Sequence, residues 1–136
     1  MTDAQARDPA PAACPFCERI GQGLVDARSG LAASFADAYP VTDGHTLVVP
    51  VRHEADFFAL TDAERADIWD LVNDVQRALA DAGTRACNVG INNGETAGQT
   101  IAHAHVHVIP RRAGDVDDPR GGVRWVIPDK APYWDD

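Results

Sequence analysis

The chain's 136 residues suit one domain, and 45% hydrophobic with 24% charged residues is ordinary for a globular fold. Asp and Glu number 21 against 12 Lys and Arg, a formal net charge of -9, which speaks against a basic surface that tracks nucleic-acid phosphates. No run approaches the ~20 apolar residues of a membrane span. Asp3 and Asp8 stand where a secretory leader would need a basic and then an apolar run. With an odd count of three cysteines, the expected setting is a reducing, cytoplasmic one without a disulfide framework.

Residues 1–13 are rich in Ala and Pro, lack periodicity and are expected to form a flexible tail. Cys14-Pro15-Phe16-Cys17 opens the ordered part with metal-ligand spacing, a weak signal alone; a redox reading needs a βαβ context that the pattern lacks. The small apolar run Gly30–Ala38 predicts a strand, followed by turn chemistry at Tyr39-Pro40 and Thr42-Asp43-Gly44. His45–Val51 predicts a β-branched strand, with Pro50 marking a bulge or an edge near its end. Thr61–Ala82 is the clearest helix. Thr61-Asp62-Ala63-Glu64 forms a capping-box pattern, Ile68, Leu71, Val72, Val75 and Leu79 make one apolar stripe, and Gly83 suits the terminus. The opposite face, with Asp62, Glu64, Asp67, Asp70, Asp74 and Asp81 against Arg65 and Arg77, reads as a solvated acidic surface.

Arg85–Asn92 alternates, which predicts a strand with Cys87 as a small core residue beside Val89 and Ile91. A loop follows at 93–98, then a predicted strand over Ile101–Ile109. Residues 114–136 form a C-terminal extension with Val123–Ile127 and the aromatic pair Tyr133-Trp134. There is no internal repeat. The short links favour an antiparallel α+β domain over βαβ units.

His103-Ala104-His105-Val106-His107 is the most informative stretch. On a regular strand all three imidazoles project from one face, ~6.5–7 Å apart. Three readings compete: a row without chemistry, a metal site of His-x-His type, and a histidine nucleophile flanked by imidazoles that handle a phosphate.

At this point the chain resembles the histidine triad (HIT) superfamily of nucleotide hydrolases and transferases. The resemblance lies in His103-Ala104-His105-Val106-His107-Val108-Ile109. It is supported in order by Phe35-Ala36-Asp37, Gly44-His45-Thr46-Leu47-Val48-Val49-Pro50, the long helix, Asn92-Asn93-Gly94 and Gly98-Gln99-Thr100. The run Ile109–Asp115 is similar to the dinucleoside-polyphosphate hydrolase branch. The resemblance implies an α+β fold: an antiparallel sheet, one long helix and a short one, pairing as a two-fold homodimer. The catalytic domain would be 14–113, with 114–136 a specificity segment or a packing strand.

It further implies an enzyme acting at the α-phosphate of dinucleoside polyphosphates or nucleoside phosphoramidates. A covalent nucleotidyl-histidine would form and a nucleoside monophosphate be released, with no organic cofactor, no nucleic-acid partner and no membrane. His105 would be the nucleophile, His107 a phosphate contact and proton donor, and Gln99 a stabiliser of the transferring group. Asp37, Asn92, Gly98, Gln99, Thr100, His107, Phe35 and Ile20 would bind nucleotide, alongside Phe16 and Leu47 as apolar walls. His45 would orient from behind the site. Cys14, Cys17, His53 and His103 would hold a structural zinc ion. A phosphorylase variant and a nucleotide-binding regulatory dimer with little catalysis are the alternatives. A catalytic metal held by the three triad histidines is a further one.

Overall fold

The computed structural model describes residues 13–135; apart from Ala13, the expected tail lies outside them. Five strands form one antiparallel sheet in the order β1-β2-β3-β5-β4: β1 Ala27–Ser29, β2 Ala32–Ala36, β3 Thr46–Pro50, β4 Cys87–Ile91 and β5 Val106–Pro110. Among the described residues two α-helices accompany them, α1 Pro15–Gly21 and α2 Asp62–Asp81. Among the described residues no helix is long and apolar enough to cross a membrane.

α2 is built as its sequence predicts. Thr61 Oγ1 accepts from Glu64 N–H at 3.1 Å, and Glu64 Oε1 accepts from Thr61 N–H at 2.9 Å, closing the capping box. At the other end Thr84 N–H bonds to Leu79 O and Gly83 N–H to Ala80 O, with Gly83 at φ +101°; only glycine takes that left-handed position without strain. The stripe Ile68, Leu71 and Val72 packs on Val48, Val106 and Val108, making one core on this face of the sheet. Cys87 packs against it, partly buried. The period-two alternation of β3 sends Leu47 and Val49 to the other face, where they meet Ala33, Phe35 and Phe16 of α1. That second layer carries the site.

Four expectations are corrected. The predicted strand Gly30–Ala38 is a hairpin turn plus β2, and β1 lies before it. Gly30, at φ +57°, starts the two-residue turn, and the Asp67 carboxylate sits where any Cβ at Gly30 would go. The acidic face of α2 is not uniformly solvated. Asp67 Oδ2 accepts from Leu31 N–H at 2.8 Å, and buried Glu64 takes two hydrogen bonds from Arg52, at 2.9 and 3.0 Å. Arg52 with the Thr61 cap holds the Glu64 carboxyl down at about 2. Of the two readings of 114–136, the packing strand is not found among the described residues: Gly122–Val126 forms a 3-10 turn instead. Finally, β5 starts at Val106, so His103 and His105 precede it. Ala104 N–H is drawn to Glu54 O at 2.7 Å and His103 N–H to Ile101 O at 2.8 Å, bonds a ladder would otherwise take. The histidines therefore do not form a single row.

Candidate active site and metal cluster

The run 103–107 distributes its rings among different neighbours, and nearby polar groups decide which nitrogen of each keeps its lone pair. His103 is fully buried, and its Nε2 lies 2.8 Å from Pro50 O. A carbonyl only accepts, so Nε2 carries the hydrogen and Nδ1 the lone pair. Nδ1 faces Cys14 Sγ and Cys17 Sγ, each at 3.5 Å, while His53 Nδ1 lies 3.3 Å from Cys17 Sγ. All four ligand atoms fall within 4.8 Å of one another. A tetrahedral zinc centre spaces sulfur and nitrogen about 3.5 Å apart, given metal bonds of ~2.3 and ~2.0 Å. The donor set and spacing thus fit zinc. Burial, with the adjoining Cys14 thiol, pushes the metal-free Cys17 thiol up to about 11. His53 Nε2 is the least satisfied atom here, buried without a partner among the described residues.

His105 is fixed the opposite way. Its Nδ1 lies 2.8 Å from His103 O, so Nδ1 bears the hydrogen and Nε2 the lone pair. The ring packs edge-on against Phe16, at 5.1 Å between centroids, and edge-on to His107 at 5.0 Å.

His107 lies on β5 opposite Leu47. Behind it stands buried His45, whose Nδ1 accepts from Val41 N–H at 3.1 Å. His45 Nε2 therefore holds the hydrogen and donates it to His107 Nδ1 at 2.9 Å. His107 is left with its hydrogen on Nε2. Burial, then the neighbouring His105 and His45, push His107 down to about 4, against an upward pull from Asp37. It is neutral at pH 7. Asp37, His45 and His107 also converge within 4.8 Å. A metal on His45 Nε2 would force the ring hydrogen onto Nδ1, where Val41 already donates, so this cluster is a hydrogen-bond relay and not a cation site.

His105 and His107 open into a cavity of about 620 Å³, lined also by Phe16, Phe35, Asp37, Asn92, Gly98 and Thr100. Its lining joins imidazole, amide and charged groups to aromatic and aliphatic ones, which suits a ligand with a charged head and a flat apolar body. Most expected binding residues thus share one wall. Two do not. Ile20 packs against the core layer around Phe16 and does not line the cavity. Gln99 spends its side chain on the loop: Nε2 donates to Ala55 O at 2.9 Å and Ile101 O at 3.0 Å, and Oε1 accepts from Gly94 N–H at 2.8 Å. It braces the segment that presents Gly98 and Thr100.

Sequence reading passed over Arg19, which lines the cavity with its guanidinium 4.7 Å above the Phe35 ring. It also passed over Pro50 O, His103 O and Val41 N–H, backbone atoms that no residue letter announces. The C-terminal extension places Val123 in a smaller cavity of about 310 Å³ behind the site, shared with His45, Asn92 and His107.

A HIT domain family model matches residues 27–114. The chain is 38% identical over 102 residues to an adenosine 5'-monophosphoramidase, hnt1, of Schizosaccharomyces pombe, covering 72% of this chain and 74% of that protein. It is 38% identical over 92 residues to an asymmetrical bis(5'-nucleosyl)-tetraphosphatase of the same organism, covering 67% of this chain and 50% of that one. The chain spans 22% to 62% of the length of several curated relatives it matches. In three dimensions it is similar to a Zn-bound histidine triad family protein from Mycobacterium smegmatis, with a TM-score of 0.71, 30% identity and 78% and 80% of the two chains covered. With its triad, its cavity and a family match over most of its length, the chain belongs to the HIT family.

Proposed function

We propose that the chain is a nucleotide hydrolase acting at the α-phosphate of dinucleoside polyphosphates or nucleoside phosphoramidates, through a covalent nucleotidyl-His105. The observation that carries this reading is the 2.8 Å contact between His105 Nδ1 and His103 O, which leaves Nε2 as a neutral nucleophile needing no prior deprotonation. Nε2 attacks the α-phosphorus, the bond to the leaving group breaks, and the leaving group takes the electron pair. The ring, now nucleotidylated at Nε2 and still protonated at Nδ1, is a cation whose N–H already donates to the carbonyl of His103. Water then attacks phosphorus, the P–N bond breaks, and the imidazole returns to its starting tautomer with release of a monophosphate and a proton. His107 Nε2–H, with the Gly98–Thr100 segment, would bond phosphoryl oxygens as charge shifts, stabilisation by placed neutral donors in place of a Lys/Arg cluster. That is compatible with a chain of charge -9. Asp37 would take the ribose hydroxyls, and Phe16 and Phe35 the base.

Zinc would be held by Cys14, Cys17, His53 and His103, and when bound it pins α1 to the segment that carries His105, a structural role. A homodimer is part of the same reading, and light scattering reads it directly. The function is tested with His105→Ala on a dinucleoside polyphosphate and on a phosphoramidate: monophosphate release drops by ~10³-fold or more on both. Turnover at wild-type level on either substrate contradicts the reading. Running the assay with and without inorganic phosphate separates hydrolysis from phosphorolysis.

A further inference from the structure

The hydrogen-bond chain behind His107 does not end at His45. Because Val41 N–H occupies His45 Nδ1, the ring has one hydrogen to give, on Nε2. Two acceptors face it: His107 Nδ1 at 2.9 Å and Asp37 Oδ2 at 3.4 Å. Asp37 is held in place. The β2–β3 hairpin continues past its strands with Asp37 N–H donating to His45 O at 3.0 Å, and Tyr39 N–H donates to Asp37 Oδ1 at 2.8 Å. Oδ2 is left turned toward the imidazole pair.

We propose that Asp37 acts on the chemistry as well as on the sugar: it is the counter-ion that lets the His45–His107 pair hold the proton a basic leaving group requires. This rests on the nucleotidyl-transfer reading above. In the neutral pair His45 Nε2–H points at His107 Nδ1. An added proton must enter at that Nδ1, since His107 Nε2 already carries one. His45 Nε2 has no lone pair to receive it, and two N–H groups then oppose each other. The conflict is relieved when the His45 hydrogen turns to Asp37 Oδ2, whose charge offsets the new one. The other groups around the pair do not help: His105 adds repulsion, and Glu18 and Arg19 of α1 line the same cavity with opposite charges. Among the groups acting on both His45 and His107, Asp37 alone pulls each upward against burial.

The two leaving groups differ in what they ask of this pair. A polyphosphate departs as a stable anion. An amine expelled from a phosphoramidate takes the electrons of the broken P–N bond and needs a proton on nitrogen. In the balanced step the His105 Nε2–P bond forms, the P–N bond breaks, and the proton moves from His107 Nε2 to the departing nitrogen. His107 Nδ1 keeps its hydrogen, and the pair is neutral again.

The test is Asp37→Asn on two substrates that share a 2',3'-dideoxynucleoside and so lack ribose hydroxyls, one with an amine and one with a polyphosphate leaving group. The expected result is a kcat about tenfold or more lower on the phosphoramidate, with KM nearly unchanged and the alkaline limb of the pH profile moved to lower pH, as befits a group that must be protonated. The anhydride loses less than about threefold. Wild-type kcat on the dideoxy phosphoramidate, or equal loss on both substrates, overturns the proposal. A second readout needs no turnover: an imidazole NMR titration places His107 lower in Asp37→Asn than in wild type, and an unchanged titration also overturns it. If neither protein releases monophosphate from any substrate, the functional reading fails while the titration still decides what Asp37 does.

Discussion

His103 and His107 stand four residues apart and differ in almost everything that matters. His103 is fully buried with Nδ1 toward two thiols; His107 is half-buried, with Nδ1 engaged by His45 and its ring on a cavity. On the proposed function, one residue type would serve as a metal ligand in one place and as a phosphate-facing donor in the other. What separates them is the partner of the second nitrogen: Pro50 O for His103, His45 Nε2–H for His107. Between them His105 has its Nδ1 held by His103's own carbonyl, so a histidine of the Cys/His cluster also fixes the His105 ring.

That contrast breaks most visibly at the cluster. Cys14→Ala or Cys17→Ser is expected to lower bound zinc from one per chain to none and to reduce Tm by about 5 °C or more. Elemental analysis with a melting curve reads both, and a fully zinc-loaded variant would refute the ligand assignment. Activity should fall with stability, because α1 and His103 lose their tie.

The relay end gives a smaller, purely kinetic effect. His45→Ala should reduce kcat ~10- to 100-fold with KM little changed, since it frees the tautomer of His107 without touching the ligand. A KM effect without a kcat effect would assign His45 to binding.

Acid sharpens the comparison further. Burial holds folded His107 at about 4, below the ordinary 6.5. The unfolded chain therefore binds more protons between those values, and stability present above pH 6.5 is lost as pH falls through 4. His107→Gln should show a shallower loss across that window in thermal melts. Parallel curves for the two proteins would contradict neutral burial of His107.

Away from both regions, Asp67→Ala should cost about 1 kcal/mol, or roughly 3–5 °C in Tm, and leave kcat intact. Asp67 serves the β1–β2 turn and lies on the far side of the sheet from the site. A loss of activity larger than the loss of stability would show that the two faces are coupled.

Much of this was legible in the sequence. The capping box at Thr61 and Glu64, the stripe from Ile68 to Leu79 and the glycine stop at Gly83 carry α2 by local rules alone. The four cluster residues and the cavity-lining Asp37, Asn92 and Thr100 follow from the resemblance, and the structure brings each set together. What escaped has a common cause. Glu64 and Asp67 look like solvated acids because their partners, Arg52 and Leu31 N–H, come from distant segments. The strand expected from residue 101 fails because Ile101 O and Glu54 O take the amides of His103 and Ala104 before a ladder can. Gln99 reads as a phosphate donor by residue type, yet three backbone groups consume its amide. The decisive partners, Pro50 O, His103 O and Val41 N–H, are backbone atoms that every sequence has.

These backbone partners assign the imidazole tautomers, and long-range proton–nitrogen NMR of the histidine rings at pH 7 measures that directly. The expected spectrum has His105 protonated on Nδ1 with a free Nε2, and His107 neutral with its hydrogen on Nε2. A hydrogen on His105 Nε2, or a doubly protonated His107, would contradict it.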